Sequence, residues 1–215
     1  WLSQVFQECI NRKRPIRSVI HLAGLKSVEN SMKDPINYWQ TNITVTLNLL
    51  SVMNKFSCNN FVFSSSATVY KPLKNRKVTE KTKLEPHTPY GRTKMIIESF
   101  LSDLQRSDPL KWRIIILRYF NPVGTHSSGL IGDDPKLGAD NIFPALMKVV
   151  NKEDMQFMIF GNDWATKDGT CVRDYIHIID VANAHLASLN YLIRNKAQLI
   201  TLNIGTGKGI SVLEL

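Results

Sequence analysis

Short apolar runs alternate with amphipathic stretches along this chain, a pattern that predicts an α/β fold built on a doubly wound parallel sheet. The apolar runs also end on glycine or small polar residues. Ser18–Ala23 ends at Gly24, Asn60–Phe63 at Ser64-Ser65-Ser66, and Trp112–Leu117 at Arg118-Tyr119-Phe120-Asn121-Pro122. Ligands of parallel sheets collect beyond the carboxyl ends of the strands, so these endings predict one shared site.

Taken in order, Trp1–Ile10 reads as the middle of a helix, and the chain is expected to begin inside a longer polypeptide. Ser18–Ala23 is a buried strand. Asp34 and Pro35 suit an N-cap and first turn. The helix they open carries Ile36, Trp39, Ile43, Leu47, Leu50 and Met53 at three- and four-residue steps, giving one apolar stripe. Asn60–Ser65 is the next strand. A basic loop with Pro72 leads to a helix over Pro89–Leu104, and Trp112–Leu117 is a further strand. A loop rich in glycine, aspartate and proline covers Val123–Asp140. A helix over Ile142–Val150, a strand over Met155–Phe160 and a strand over Val172–His177 follow. Asp180 is expected to cap a helix reaching Ile193. Leu199–Ile204 is a last strand, and Gly205–Gly209 reads as a strand-to-helix turn that lacks phosphate-loop spacing. A helix is expected to start at Ser211–Leu215.

The 215 residues are 43% hydrophobic, ample for one core. No run of 18 apolar residues occurs, so no membrane span is expected. Cys9, Cys58 and Cys171 are widely spaced and form no Cys-x-x-Cys pair, which points to reduced thiols in a cytoplasmic protein and to no metal site. The net charge of +9 gathers in Arg12-Lys13-Arg14 with Arg17 and between Lys71 and Lys83. No aromatic residues interleave with those charges, so solvated loops or an anionic small-molecule substrate are preferred to nucleic acid.

One constellation carries chemistry. Tyr90 and Lys94 stand four residues apart on an expected helix, hence on one face, and Ser66 ends the preceding strand. A tyrosine is a poor base near neutral pH, and a neighbouring cation favours its phenolate. Ser66 could hold a substrate hydroxyl against Tyr90. These parts suit proton removal from a secondary alcohol while a nicotinamide takes hydride. Taken alone, the serines could simply end a strand through local bonds, Arg173 could pair with Asp174, and Asn121-Pro122 could form a turn. His21 and His177 read as packed side chains rather than bases.

The blocks His21–Lys26, Ser64–Tyr70, Pro89–Lys94, Arg118–Gly124, Phe160–Asp163 and Asp168–His177 together resemble the UDP-glucose 4-epimerase family of the extended short-chain dehydrogenase/reductase superfamily. The resemblance implies a Rossmann-type sheet, bound NAD, and interconversion of UDP-glucose and UDP-galactose by transient oxidation at C4. It makes Tyr90, Lys94 and Ser66 catalytic. Leu22, Ala23, Gly24, Lys26, Ser64, Tyr119 and Phe120, with Tyr90 and Lys94, would hold the cofactor. Lys26, Ser66, Thr68, Tyr90, Asn121, Asn141, Ile142, Met158, Phe160 and Arg173 would hold the UDP-sugar. Residues 1–122 would form a partial NAD-binding domain lacking its first strands. Residues 123–215 would form a mixed segment with part of a smaller substrate-binding region. A homodimer through the helices at 34–57 and 88–106 is expected.

The family's glycine-rich loop and ribose-gripping acid are not among these residues and are expected upstream of Trp1. The isolated piece is accordingly expected not to hold NAD. Thr41 and Lys71 depart from residues common in the family. Dehydratases on this scaffold carry an Asp-Glu pair where Ala67 and Thr68 stand, which argues against dehydration. A UDP-glucuronate epimerase or decarboxylase, and a non-catalytic scaffold, remain the rival readings.

Overall fold

The computed structural model describes residues 1–73, 77–133 and 141–215. The chain divides into two compact units. The first holds Trp1–Pro72, Val78–Tyr119 and Ala184–Asn203, and the second is drawn mainly from Phe120–Asn183 and Ile204–Leu215. The basic loop and the loop over 123–140 lie partly outside the described residues.

In the first unit, β1 (Ser18–His21), β2 (Asn60–Ser66), β3 (Arg113–Tyr119) and β6 (Gln198–Ile204) form a sheet in the order β1-β2-β3-β6. β1 and β3 both pair with β2 in parallel. The helices α1 (Leu2–Asn11), α2 (Val28–Lys33), α3 (Pro35–Lys55) and α4 (Pro89–Ser107) supply the layer on one face. The core joins Phe6 of α1, Leu50 and Met53 of α3, and Ile97 and Leu101 of α4 to Phe61, Phe63, Ile114 and Ile116 of the sheet. α4 packs there because its buried positions Tyr90, Lys94, Ile97 and Leu101 repeat at helical spacing. On β2, alternation sends Val62 and Ser64 to the opposite face, where Ser64 meets His185 of α6 (Ile178–Arg194).

Asp34 caps α3 as expected, accepting from the Asn37 N–H at 3.2 Å, with Pro35 in the first turn. The expected apolar stripe is buried only toward its C-terminal end, where Leu50 and Met53 enter the core and Ile43 packs against it. Ile36 is 77% exposed, and Trp39 and Leu47 are also exposed, while Tyr38, Asn42, Thr46, Leu50 and Met53 are buried. The reason is position along the sheet. The second half of α3 crosses the apolar core, and its first half passes the strand ends, where backbone and polar groups need hydrogen-bond partners.

In the second unit, β4 (Asn121–Val123) pairs in parallel with β5 (Val172–His177), and β5 pairs antiparallel with β7 (Gly209–Ser211). α5 (Ile142–Val150) forms as expected. The strand expected over Met155–Phe160 does not form, since these residues pair with no strand among the described residues and Met155 is 98% exposed. α6 begins at Ile178, two residues before the expected cap. His177, expected to be packed, is exposed and caps it by accepting from the Ile179 N–H at 3.2 Å, and Asp180 lies in the first turn. Gly205–Gly209 leads into β7 rather than a helix. The Asp174 carboxylate is held there by the Thr206 and Gly207 N–H groups at 2.9 and 2.8 Å, so it is engaged by the turn and not by Arg173. Instead of a helix, Ser211–Glu214 forms a turn in which the two residues exchange hydrogen bonds of 3.0 and 3.1 Å, as a capping box does.

Candidate active site

The site is built on the end of β2. Three successive serines there have three different partners. Ser64 Oγ lies 2.9 Å from His185 Nε2. Ser65 donates to Glu98 Oε1 at 2.5 Å. Ser66 opens a 3-10 turn, Ala67–Val69, by accepting from the Thr68 N–H at 3.2 Å and from the Thr68 hydroxyl at 3.0 Å. With its oxygen accepting twice, Ser66 has its own proton free to donate, and its hydroxyl opposes the rise of the Tyr90 phenol. A donor to that oxygen favours the phenolate.

Tyr90 and Lys94 reach this strand end because Thr88 caps α4, accepting from the Gly91 N–H at 3.1 Å, and Pro89 sets its first turn. Gly91 lets the helix approach closely. A Cβ there would sit 2.7 Å from the Thr68 carbonyl oxygen and 3.0 Å from Pro86. Tyr90 is 8% exposed and Lys94 is 6% exposed. Burial pushes the Tyr90 phenol up to about 12, with Tyr119 adding to the rise and Ser66 opposing it. Burial outweighs the neighbouring ammonium at this phenol. The ammonium donates to the Ser64 carbonyl at 2.9 Å and sits 4.9 Å from the Phe63 ring centre and 5.9 Å from that of Tyr90. Burial brings Lys94 itself down to about 8, against the pull of Glu98.

The surrounding residues were not legible as site components. Asn42 accepts from the Leu25 N–H at 2.8 Å and donates to the Leu25 carbonyl and to Thr93 Oγ1, both at 3.1 Å. It thereby ties the turn after β1 to the residue before Lys94. His21 is buried as expected, with Nε2 2.9 Å from Thr46 Oγ1. The Thr46 hydroxyl donates to the Asn42 carbonyl at 2.8 Å, so His21 Nε2 carries the proton in that contact. Burial lowers His21 to about 4, leaving it neutral near pH 7. Spacing alone gives no signal for these bonds, because each joins elements far apart in sequence.

Ser64, Ser66, Thr68, Tyr90, Lys94 and Tyr119 therefore come together in the first unit. Tyr119 ends β3, and a hydrogen bond from Ser64 tempers the rise that burial gives its phenol. Gly24, with φ of +152°, places its bare Cα where a Cβ would lie 3.1 Å from Asn42 Oδ1 and 3.9 Å from Lys94 Nζ. Leu22, Ala23 and Lys26 are exposed on the same turn. Within the second unit, Asn121 and Arg173 stand exposed on the paired strands β4 and β5. Phe120 donates its N–H to the Ile204 carbonyl at 3.1 Å. Asn141 precedes α5, Ile142 is its first residue, and Met158 and Phe160 are exposed in irregular chain.

Residues 3–205 match the NAD dependent epimerase/dehydratase family. The chain belongs to that family. It is 48% identical over 198 residues to UDP-glucose 4-epimerase 4 of Oryza sativa subsp. japonica, covering 92% of this chain and 53% of that protein. It is 49% identical over 200 residues to UDP-glucose 4-epimerase of Dictyostelium discoideum, covering 93% of this chain and 58% of that one. The chain thus spans about half the length of the curated relatives it matches. A UDP-glucose 4-epimerase from Stenotrophomonas maltophila, solved with NAD and formylated UDP-arabinopyranose, superposes with a TM-score of 0.92 at 43% identity over 99% of this chain and 61% of that one. The enzyme from Bifidobacterium longum, solved with NAD+ and UDP, gives 0.88 at 43% identity over 99% of this chain and 63% of that one. Both superpositions carry the Rossmann-type α/β fold expected of this epimerase/dehydratase chain.

Proposed function

We propose that the full-length polypeptide interconverts UDP-glucose and UDP-galactose through transient oxidation at the sugar C4, with NAD as its resident cofactor. The observation that carries this reading is the convergence of Ser66, Tyr90 and Lys94 on one strand end, in a chain about half identical to UDP-glucose 4-epimerases. Tyr90 exchanges the proton of the substrate hydroxyl, and Ser66, whose oxygen already accepts twice from Thr68, uses its own proton to hold that hydroxyl oxygen beside the phenol. The pocket that raises the phenol to about 12 also excludes water from the proton transfer.

The donor set fits a nicotinamide nucleotide. Among the described residues, the Ser64 carbonyl is the one hydrogen-bond partner of the Lys94 ammonium. An ammonium has three N–H donors, so two remain for a ribose diol. The turn Leu22-Ala23-Gly24 with Lys26, and Ser64, Tyr119 and Phe120, would line it. When bound, NAD supplies reversible hydride acceptance at the carbinol carbon. Arg173, with a fork suited to phosphate oxygens, and Asn121, Asn141, Ile142, Met158 and Phe160 would take the UDP-sugar, with Thr68 near the hexose.

Homodimer formation through α3 and α4 is supported by the apolar side chains they leave exposed, Ile36, Trp39 and Leu47 on one and Ile96 and Phe100 on the other. Three free cysteines suit a cytoplasmic setting. No helix of the described residues is long and apolar enough to cross a membrane. The test is conversion of UDP-galactose by the full-length protein, followed by chromatography. UDP-glucose is expected from the unaltered protein, and a loss of roughly 100-fold or more from a folded Tyr90→Phe variant. Absence of UDP-glucose from the unaltered protein overturns the proposal.

A further inference from the structure

The buried pair formed by Glu98 of α4 and Arg118 of β3 has no place in the chemistry above, yet it bonds the middle serine of the strand end. Both residues are 5% exposed. Arg118 Nε reaches the two Glu98 carboxylate oxygens at 3.0 and 3.1 Å, and Nη2 makes a further, shorter contact with Oε2. Arg118 is itself fixed. Its Nη1 donates to the Tyr70 hydroxyl at 2.9 Å, that hydroxyl donates to Asn203 Oδ1 at 2.6 Å, and the Asn203 N–H donates to Glu80 Oε1 at 2.9 Å. The free carboxylate capacity of Glu98 is spent on Ser65 at 2.5 Å.

Ser65 lies between Ser64, whose carbonyl receives Lys94, and Ser66, whose hydroxyl favours the Tyr90 phenolate. Glu98 also stands one helical turn beyond Lys94 on the same face. We propose that Glu98 is a positioning residue of this site: anchored by Arg118, its carboxylate pins the serine strand end through Ser65 and holds Lys94 as the ammonium from one turn away. This inference rests on the epimerase reading for its functional meaning, but not for its geometry.

The other groups facing Lys94 do not supply that charge. From β1, His21 interacts with Lys94 but is driven to about 4 and is neutral. On α4 itself, the Tyr90 phenol stays protonated, as its rise to about 12 requires, and Tyr38 of α3 and Tyr119 of β3 bear on Tyr90. From β2, Phe63 and the Ser64 carbonyl are uncharged partners. Arg118 reaches Lys94 only through Glu98. The carboxylate is therefore the charge that opposes burial of the ammonium.

The experiment titrates Lys94 by NMR in full-length, ligand-free protein carrying 13C-labelled lysine, with the signal assigned by Lys94→Arg. Glu98→Gln keeps an acceptor for Ser65 and Arg118 while removing the charge. Its Lys94 midpoint is expected to fall by roughly one pH unit or more, and the basic limb of the turnover profile to move with it. Glu98→Gln/Arg118→Gln, which also removes the guanidinium that the single variant leaves unpaired, is read the same way if the single variant melts early. Ser65→Ala should leave the Lys94 midpoint in place and lower kcat roughly tenfold with KM little changed. A folded Glu98 variant with an unshifted Lys94 midpoint, or a fully active Ser65→Ala, overturns the inference. Failure of the unaltered protein to turn over UDP-galactose would instead overturn the epimerase reading and leave the Lys94 titration standing as its own result.

Discussion

Replacing Gly91 by alanine sets two physical effects against each other beside the reacting tyrosine. Helix propensity favours the alanine by about 1 kcal/mol at an interior position. Packing opposes it, because the added methyl would lie 2.7 Å from the Thr68 carbonyl oxygen and 3.0 Å from Pro86, where ordinary contact starts near 3.4 Å. The closest of these atoms is backbone and cannot swing aside, so α4 or the 3-10 turn must give by several tenths of an ångström. Overpacking of this kind costs roughly 1–3 kcal/mol, so packing wins or at best balances. The displacement falls between Tyr90, the preceding residue, and Thr68, which donates to Ser66. A misplacement approaching an ångström at a reacting group costs up to ~100-fold in rate. In full-length Gly91→Ala, thermal unfolding measured by circular dichroism should show a lower midpoint, and conversion of UDP-galactose should fall by roughly 10- to 100-fold. A variant that melts no lower than the parent and turns over at the parent rate would refute the close-approach argument.

Two further outcomes follow from burial. His21 has a folded value near 4 against 6.5 unfolded, so the unfolded chain binds more protons in between. Stability from its neutral form is present above pH 6.5 and is lost as pH falls toward 4, by at most roughly 3 kcal/mol. Urea midpoints of the parent should drop over that window while His21→Phe, stacked among Phe61 and Phe63, changes less, and parallel pH curves would count against the assignment. Leu101 is fully buried in the cluster joining α4 to the sheet, so Leu101→Ala should cost about 2–5 kcal/mol in equilibrium unfolding. A loss under 1 kcal/mol would show that the site collapses or is not core.

The strands of the parallel sheet and the Ser66, Tyr90 and Lys94 constellation could be read directly, because each depends on local signals: apolar runs, turn chemistry and a four-residue step. What could not be read depends on pairing across the fold. Glu98 and Arg118 look like surface residues in sequence and become a buried pair only when α4 lies on β3. The apolar stripe of α3 marks the buried face at Leu50 and Met53 but not at Ile36, Trp39 and Leu47, because nearer the strand ends Asn42 and Thr46 are buried to satisfy Leu25, Thr93 and His21. Met155–Phe160 has the short, nearly continuous apolar run of a strand, and no neighbour among the described residues turns it into one. The spacing puts a cationic helix neighbour near Tyr90, yet burial sets the direction of that phenol, and sequence carries no measure of how much solvent the helix expels.

The serine run on β2 acts as a rivet through the layered domain. Alternation sends Ser65 toward Glu98 on one side and Ser64 toward His185 on the other, so both helical layers grip the same two peptide units. A disturbance on either side is handed to the reacting hydroxyl across a single residue. Substitutions at Glu98 and His185, on opposite faces and without contact, should accordingly fail to add in their effects on turnover.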